Sequence, residues 1–254
     1  MRQAIFRFYA ELNDFLPPER RMKPFPHDFA LPASVKDIIE SLGAPHTEVD
    51  LILANGAPVG FTYLVQHGDR ISIYPALTAF DVGSLGRLRP PLDHFRFVLD
   101  THLGRLAAYL RMLGFDALYE NVCDDNQLAQ TSARENRILL TRDRGLLKRG
   151  SVTYGYFVRA TEPRRQLVEV LQRFSLFSAV APFQRCLRCN ALLQTASKES
   201  ISHLLPTRTG QYYSDFRFCD SCNRVYWAGS HHQHMQRFIE RVLAAGRVHR
   251  ETPR

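Results

Sequence analysis

Two periods organise the hydrophobic and polar positions of this chain, and the places where one gives way to the other mark its elements. "QAIFRFYAEL", from Gln3 to Leu12, reads as a strand, and "PPERRMKPFP" after it as a turn or sheet edge, because proline cannot serve a central strand. Val35, Ile38, Ile39 and Leu42 then recur at the helical period. Ser34 and Asp37 form a capping-box-like start to that helix, and Gly43 stops it. "VDLILANGAPVG" predicts a strand running into an Asn55-Gly56 turn, and "HGDRISIYPAL" a further strand. Strand, strand, helix, strand, strand describes a small α+β unit. "GSLGRLRPPLDH", Gly83 to His94, is rich in glycine, proline and arginine and reads as a linker.

Beyond the linker the pattern alternates between strand and helix. "FRFVL", "FDALY", "RILLT" and "YGYFVRA" predict strands. "HLGRLAAYLRMLG" places Leu103, Leu106, Ala107, Leu110 and Leu113 on one helical stripe, with Gly114 as its stop. "DDNQLAQTSAREN" and "PRRQLVEVLQRF" predict two more helices, the latter with Pro163 in its first turn. This rhythm argues for an α/β fold, a parallel sheet flanked by helices. A third zone, from about Pro182, ends in a strand at Tyr226-Trp227 and a helix opened by Ser230, with Met235, Phe238, Ile239 and Val242 as its apolar stripe. The expected domains are residues 1–82, 94–180 and 181–245.

Composition adds limits. The 254 residues are 45% hydrophobic and 23% charged, ordinary for a globular protein. No run of about 18 apolar residues is present, so no membrane span is expected. "MRQAIFRFYAELNDF" lacks the continuous apolar core of a signal peptide, which makes the expected location cytoplasmic. Charge is unevenly placed: residues 1–80 carry 7 Lys/Arg against 9 Asp/Glu, while the remainder carries 26 against 16. The +10 excess after position 80 points to a polyanion partner, unless it only keeps the surface soluble.

Four of the five cysteines fall into two CxxC pairs, Cys186/Cys189 and Cys219/Cys222. Two such knuckles complete a tetrahedral Zn²⁺ site, and four protein ligands leave no open position, so the expected metal is structural. Redox CxxC is the alternative. Cys123 stands alone and reads as a small apolar filler. His231, His232 and His234 suggest exposed positions near a helix start more than a second metal site.

In a parallel sheet, ligands bind beyond the carboxyl ends of the strands. Asp100 directly follows one predicted strand, Asp124 and Asp125 follow the next after a short loop, and Asp143 follows "RILLT" by one residue. Clustered carboxylates are tolerated when a divalent cation holds them, and Mg²⁺ or Mn²⁺ so held can activate water against a phosphodiester. Each acid also has a plainer reading. Asp124 is equally a helix cap, Asp125 a first-turn charge, Asp100 a turn former and Asp143 a partner of its flanking arginines. Asp116, at the start of its strand, reads as structural. Arg105, Arg142, Arg144 and Lys148 lie near the acids in sequence and are the expected phosphate contacts. For Arg111, Arg134 and Arg137 the plain reading is a solvated helix face, and it is preferred to substrate contact for Arg134 and Arg137.

"FVLDTHLGRLAAYLRMLGFDALYE" and "DDNQLAQTSARENRILLTRDRGLLKR" resemble the mut-seven C-terminal ribonuclease domain family, a relative of the PIN nuclease fold, over roughly residues 94–240. Residues 3–80 resemble the ubiquitin-like β-grasp of sulfur-carrier proteins. Those carriers act through a free C-terminal Gly-Gly, whereas this segment runs on into the next domain, leaving a binding or scaffolding role. The resemblance implies a PIN-like metal-dependent ribonuclease site at Asp100, at one or both of Asp124 and Asp125, and at Asp143, followed by a zinc ribbon. A further acid from a later strand is typical of such sites, and only Glu162 is offered here. In the family a run similar to "YWAGSH" implies that Trp227 or His231 touches RNA. Three functions are therefore in play: a divalent-metal-dependent ribonuclease, a non-catalytic RNA-binding or adaptor protein whose β-grasp domain docks a protein partner, and a sulfur carrier fused to a metal-binding module.

Overall fold

The computed structural model describes residues 1–75 and 88–248. Part of the expected linker, up to position 87, therefore lies outside the described residues. The chain divides into two compact units, one of residues 1–94 with 123–157, the other of residues 95–122 with 158–254. Each is built from discontinuous sequence.

The first unit contains a five-stranded sheet in the order β2-β1-β5-β3-β4, made by β1 (Arg2–Phe8), β2 (Phe25–Phe29), β3 (Leu51–Ala54), β4 (Ala57–Pro58) and β5 (Arg70–Tyr74). β1 and β5 are parallel, and the other pairings are antiparallel. With helix α1 (Val35–Ser41) this is the expected ubiquitin-like domain. Its core is formed by Phe6, Phe8, Ile39, Ile52, Ile71 and Ile73, all buried. Ser34 caps α1 as its sequence implies, accepting from the Asp37 amide at 3.1 Å. Pro26 is accommodated because β2 is an edge strand.

The first strand is shorter than its hydrophobic pattern predicts. β1 ends at Phe8, and Ala10–Phe15 form a 3-10 helix. Ala10 turns the chain with φ +47, and the Asn13 side chain donates to the Phe8 and Ala10 carbonyls at 3.0 and 2.9 Å. Leu12 and Phe15 are buried as a result. An apolar pair at the end of a strand pattern here serves a turn.

The same unit holds α3 (Asp125–Glu135), β8 (Ile138–Thr141), α4 (Arg144–Leu147) and β9 (Gly155–Phe157), with β8 and β9 parallel. Specific bonds join them to the ubiquitin-like sheet. Arg89 donates to the carbonyls of Thr47, Thr153 and Val49 and pairs with Asp50. His46 bonds Glu40 through Nδ1 and the Val152 carbonyl through Nε2. The fully buried Glu48 accepts from the Phe157 amide. These polar contacts are satisfied inside a buried seam, so the ubiquitin-like domain is packed against this strand pair and not carried on a loose tether.

The second unit contains β6 (Arg96–Leu99) and β7 (Asp116–Tyr119), a parallel pair with Arg96 opposite Asp116 and Leu99 opposite Tyr119. Helix α2 (Gly104–Met112) buries Leu106, Ala107 and Leu110, and α5 (Pro163–Arg173) packs against it through Leu167, Val170 and Leu171. β6–β7 here and β8–β9 in the first unit are each a parallel pair with flanking helices, as the expected α/β class requires. Gly104 has a local reason. A Cβ there would lie 2.7 Å from the Tyr119 ring, whose hydroxyl donates to the Thr101 carbonyl at 2.9 Å. The ribbon follows as an antiparallel sheet of β10 (Gln194–Ala196), β11 (Phe216–Cys219) and β12 (Arg224–Trp227). Between its cysteine pairs lies α6 (Thr207–Tyr212), and α7 (Ser230–Val248) ends the described chain. Among the described residues no helix is long and apolar enough to cross a membrane.

Candidate functional site

The cysteines are brought together. All four sulfurs lie within 4.8 Å of one another, with Cys186 to Cys222 at 3.5 Å and Cys189 to Cys219 at 3.4 Å. A tetrahedral Zn²⁺ with bonds of about 2.3 Å requires sulfurs roughly 3.8 Å apart, so the donor set fits that ion with a small expansion. Each CxxC is followed by an asparagine in the left-handed region, Asn190 at φ +72 and Asn223 at φ +54. Their amides donate back to the Cys186 and Cys219 carbonyls at 3.0 and 2.8 Å, closing each knuckle. "CLRCN" and "CDSCN" carry this in the sequence, since asparagine tolerates that backbone region better than most residues. Burial opposes ionisation of Cys186, but the Tyr226 hydroxyl, two backbone amides and the Cys222 thiol bring its pKa down to about 6. Burial and hydrogen bonds to the neighbouring thiols push Cys222 up to about 12. The arrangement holds one thiolate readily, and a bound cation would secure the remaining ones.

The ribbon is fastened to α2 and β7 by residues whose importance the sequence conceals. Arg111 is buried at 4% exposure, not on a solvated face. Its guanidinium donates to the Ala117 carbonyl at 2.8 Å and, through one terminal nitrogen, to Leu187 and Arg188 in the first knuckle at 3.2 and 2.7 Å. Burial lowers its pKa, while Cys186, Cys189 and Asp116 oppose that shift. Asn190 completes the join, accepting from the Ala117 amide at 3.0 Å and donating to Asp116 at 2.8 Å. Asp116 also pairs with Arg185 at 3.6 Å, which makes its role structural. Arg137, likewise read as solvated, is buried and paired with Glu135 at 2.7 Å, while Arg134 is exposed.

The four aspartates occupy strand ends and helix starts. Asp100 follows β6 directly, is buried, and opens a 3-10 turn at Thr101–Leu103. Asp124 caps α3 in a capping box with Gln127, its Oδ1 accepting from the Gln127 amide at 2.8 Å. Asp143 caps α4, with Oδ1 accepting from Gly145 and Leu146 at 2.6 and 3.4 Å. Among the described residues Oδ2 of Asp124 and Oδ2 of Asp143 are left out of these bonds. Asp125 pairs with Arg149 at 3.4 Å. Asp100 belongs to one compact unit and Asp124, Asp125 and Asp143 to the other. Glu162 caps α5, its carboxylate accepting from the Arg165 amide at 2.9 Å.

The expected phosphate contacts have unequal surroundings. Arg105 and Arg142 are exposed. Arg105 lines an open cleft of about 530 Å³ with His102, Tyr119, Asn121 and Gln166. Arg144 instead lies over the rings of Phe15 and Phe157, 5.0 and 5.4 Å from their centroids. Lys148 donates to the Glu40 carbonyl at 2.6 Å. Both of these cations are engaged by the ubiquitin-like domain or its seam. Trp227 and His231 sit at the end of β12 and the start of α7.

The comparisons agree with this architecture. The model described as Mut7-C RNAse domain matches residues 95–239, and that described as Mut7-C ubiquitin matches residues 1–81. No curated protein and no solved structure gives a significant match. With a ribonuclease-domain match over more than half of the chain and the cognate ubiquitin-like domain in front of it, this chain belongs to the Mut7-C RNAse domain family.

Proposed function

We propose that this protein is a divalent-metal-dependent ribonuclease that hydrolyses RNA phosphodiester bonds, with Asp100, Asp124, Asp125 and Asp143 as its acidic centre. The observation that carries the reading is the state of Asp124 and Asp143. Each uses one oxygen as a helix cap and leaves the other out of those bonds, so cap and ligand are compatible roles for one carboxylate. Mg²⁺ or Mn²⁺ held there would polarise a phosphodiester and activate water. The protein's own part is to fix Asp124 and Asp143 through one oxygen each and leave the other out of the cap. It also positions the strand by its phosphates, with Arg105, Arg142, Arg144 and Lys148 as the contacts, each as far as its other partners permit. Asp125 shares its charge with Arg149, so of the paired acids Asp124 is the better ligand. The zinc ribbon is structural, and the expected site of action is the cytoplasm. The Arg144 and Lys148 contacts favour a role of the ubiquitin-like domain in holding the α4 segment, beside any docking of a protein partner.

Cleavage of labelled RNA with Mn²⁺ tests this. Wild type is expected to cleave and Asp143→Asn to lose activity by orders of magnitude while retaining RNA binding. Equal cleavage by both, or none by either across several RNAs, would favour the non-catalytic RNA-binding reading instead.

A further inference from the structure

Four arginines outside the acidic centre converge on the junction of α5 and α7. Arg164 and Arg165 lie in the first turn of α5, and Arg237 and Arg241 lie four residues apart on α7, which places them on one face. All four are exposed. They line two neighbouring open clefts of about 980 and 470 Å³, both of which include Arg164, Phe238 and Arg241. Among the described residues none of the four is in an ion pair. The nearby acids are fewer than the arginines, and two of them have backbone partners of their own. Glu162 accepts from the Arg165 amide, and Glu169 from the amides of Arg159 and Ala160 at 2.7 and 2.8 Å. Glu240, which lines the larger cleft, is the one opposing charge of note. The cleft floor is aromatic: Tyr109 and Phe238 lie 4.7 Å apart by ring centroid, with the Arg164 guanidinium over Phe238 at 5.5 Å.

A groove whose four arginines outnumber its two lining carboxylates, floored by aromatic rings, suits a polyanion that also carries flat apolar groups. We infer that the α5–α7 clefts are a second RNA-binding site, in which Arg164, Arg165, Arg237 and Arg241 grip the phosphates of single-stranded RNA. The inference rests on the RNA-directed reading above, and it places part of the substrate grip on residues remote in sequence from every acid of the proposed centre. Arg164 adjoins Pro163, which lines the cleft holding Arg105 and Tyr119. The start of α5 thus contributes to both the Arg105 cleft and the α5–α7 clefts.

Binding is measured by anisotropy of an end-labelled uridine oligonucleotide, without divalent ions, over a salt series. Arg237→Ala/Arg241→Ala is expected to weaken binding at least about tenfold and to flatten the slope of log K against log salt by about 1.4, at about 0.7 per lost phosphate contact. Arg237→Lys/Arg241→Lys should retain most of both. An unchanged thermal midpoint verifies that the exposed substitutions leave the fold intact. The inference is overturned if the alanine variant binds as wild type does, or if wild type binds an acidic polypeptide but not RNA. Asp143→Asn run in parallel separates the two readings. Loss of cleavage without loss of binding there, combined with normal binding by the arginine variant, would leave the nuclease standing and remove this site. Cleavage unaffected by Asp143→Asn, combined with lost binding by the arginine variant, would do the reverse.

Discussion

Arg111→Met keeps the length and apolar stem of a buried side chain and removes its charge and three donated hydrogen bonds. The carbonyls of Ala117, Leu187 and Arg188 lose their donor in a place that water reaches poorly, since Arg111 is 4% exposed. A hydrogen bond from a charged donor contributes about 1.5–3 kcal/mol, but three bonds from one guanidinium do not add independently. The expected loss is about 3–5 kcal/mol, comparable with breaking a buried charged network. At roughly 2–4 °C per kcal/mol for a domain of this size, the unfolding midpoint should fall by roughly 6–20 °C. Because two of the three carbonyls belong to the first cysteine knuckle, zinc should also pass faster to a chromogenic chelator. Arg111→Lys keeps the charge without the fork and should fall between wild type and Met. A midpoint shift below about 1 kcal/mol in stability, with unchanged zinc release, would refute the claim that this arginine joins ribbon to sheet.

Three further outcomes follow from the same geometry. Purified protein should carry one zinc per chain by atomic absorption, and Cys219→Ala should lose it and render the ribbon sensitive to protease; a zinc-free wild type indifferent to chelators would argue for a redox role. Asp124→Asn should keep most of the cap, whereas Asp124→Ala should cost about 1 kcal/mol by thermal unfolding. If Asp124 also ligates the catalytic metal, both should lose Mn²⁺-dependent cleavage, so cleavage surviving in Asn would leave Asp124 a cap alone. Arg144→Ala should destabilise the protein by about 1–2 kcal/mol through its two aromatic contacts and flatten the salt slope of RNA binding by less than the roughly 0.7 of a full phosphate contact; a change of that full size would make phosphate its main partner.

Much of the fold was legible from periodicity. Ser34 with Asp37, the stripe of α2 with its Gly114 stop at φ +94, and Asp124 before α3 each gave an element its start or end, because caps and stops act within one turn of chain. The cysteine pairs were legible for the same reason. What escaped was settled over long sequence separations. The strand pattern of residues 3–12 ran past Phe8 because Leu12 is apolar for a turn packed in the core. The structural role of Arg111 was hidden, between a solvated face and a substrate contact, because its acceptors lie near positions 117 and 188, and no helical wheel contains them.

The basic residues show most clearly where sequence reasoning stopped. An arginine or lysine beside an acid reads as a phosphate contact, and four such residues were assigned on that ground. Two of them have other contacts as well: Arg144 lies over Phe15 and Phe157, and Lys148 donates to the Glu40 carbonyl, all residues of one compact unit. Meanwhile four arginines with no acid in their immediate pattern, on α5 and α7, stand exposed around shared clefts. Charge itself does not decide which cation meets RNA; the supply of competing acceptors does. Arg144 must give up part of its contact with two rings to bind phosphate, as Arg164 must with Phe238, whereas Arg165 and Arg237 give up mainly water. On that argument the +10 excess of the chain after position 80 is only partly available to a polyanion, and the inference above places a share of it on the α5–α7 face.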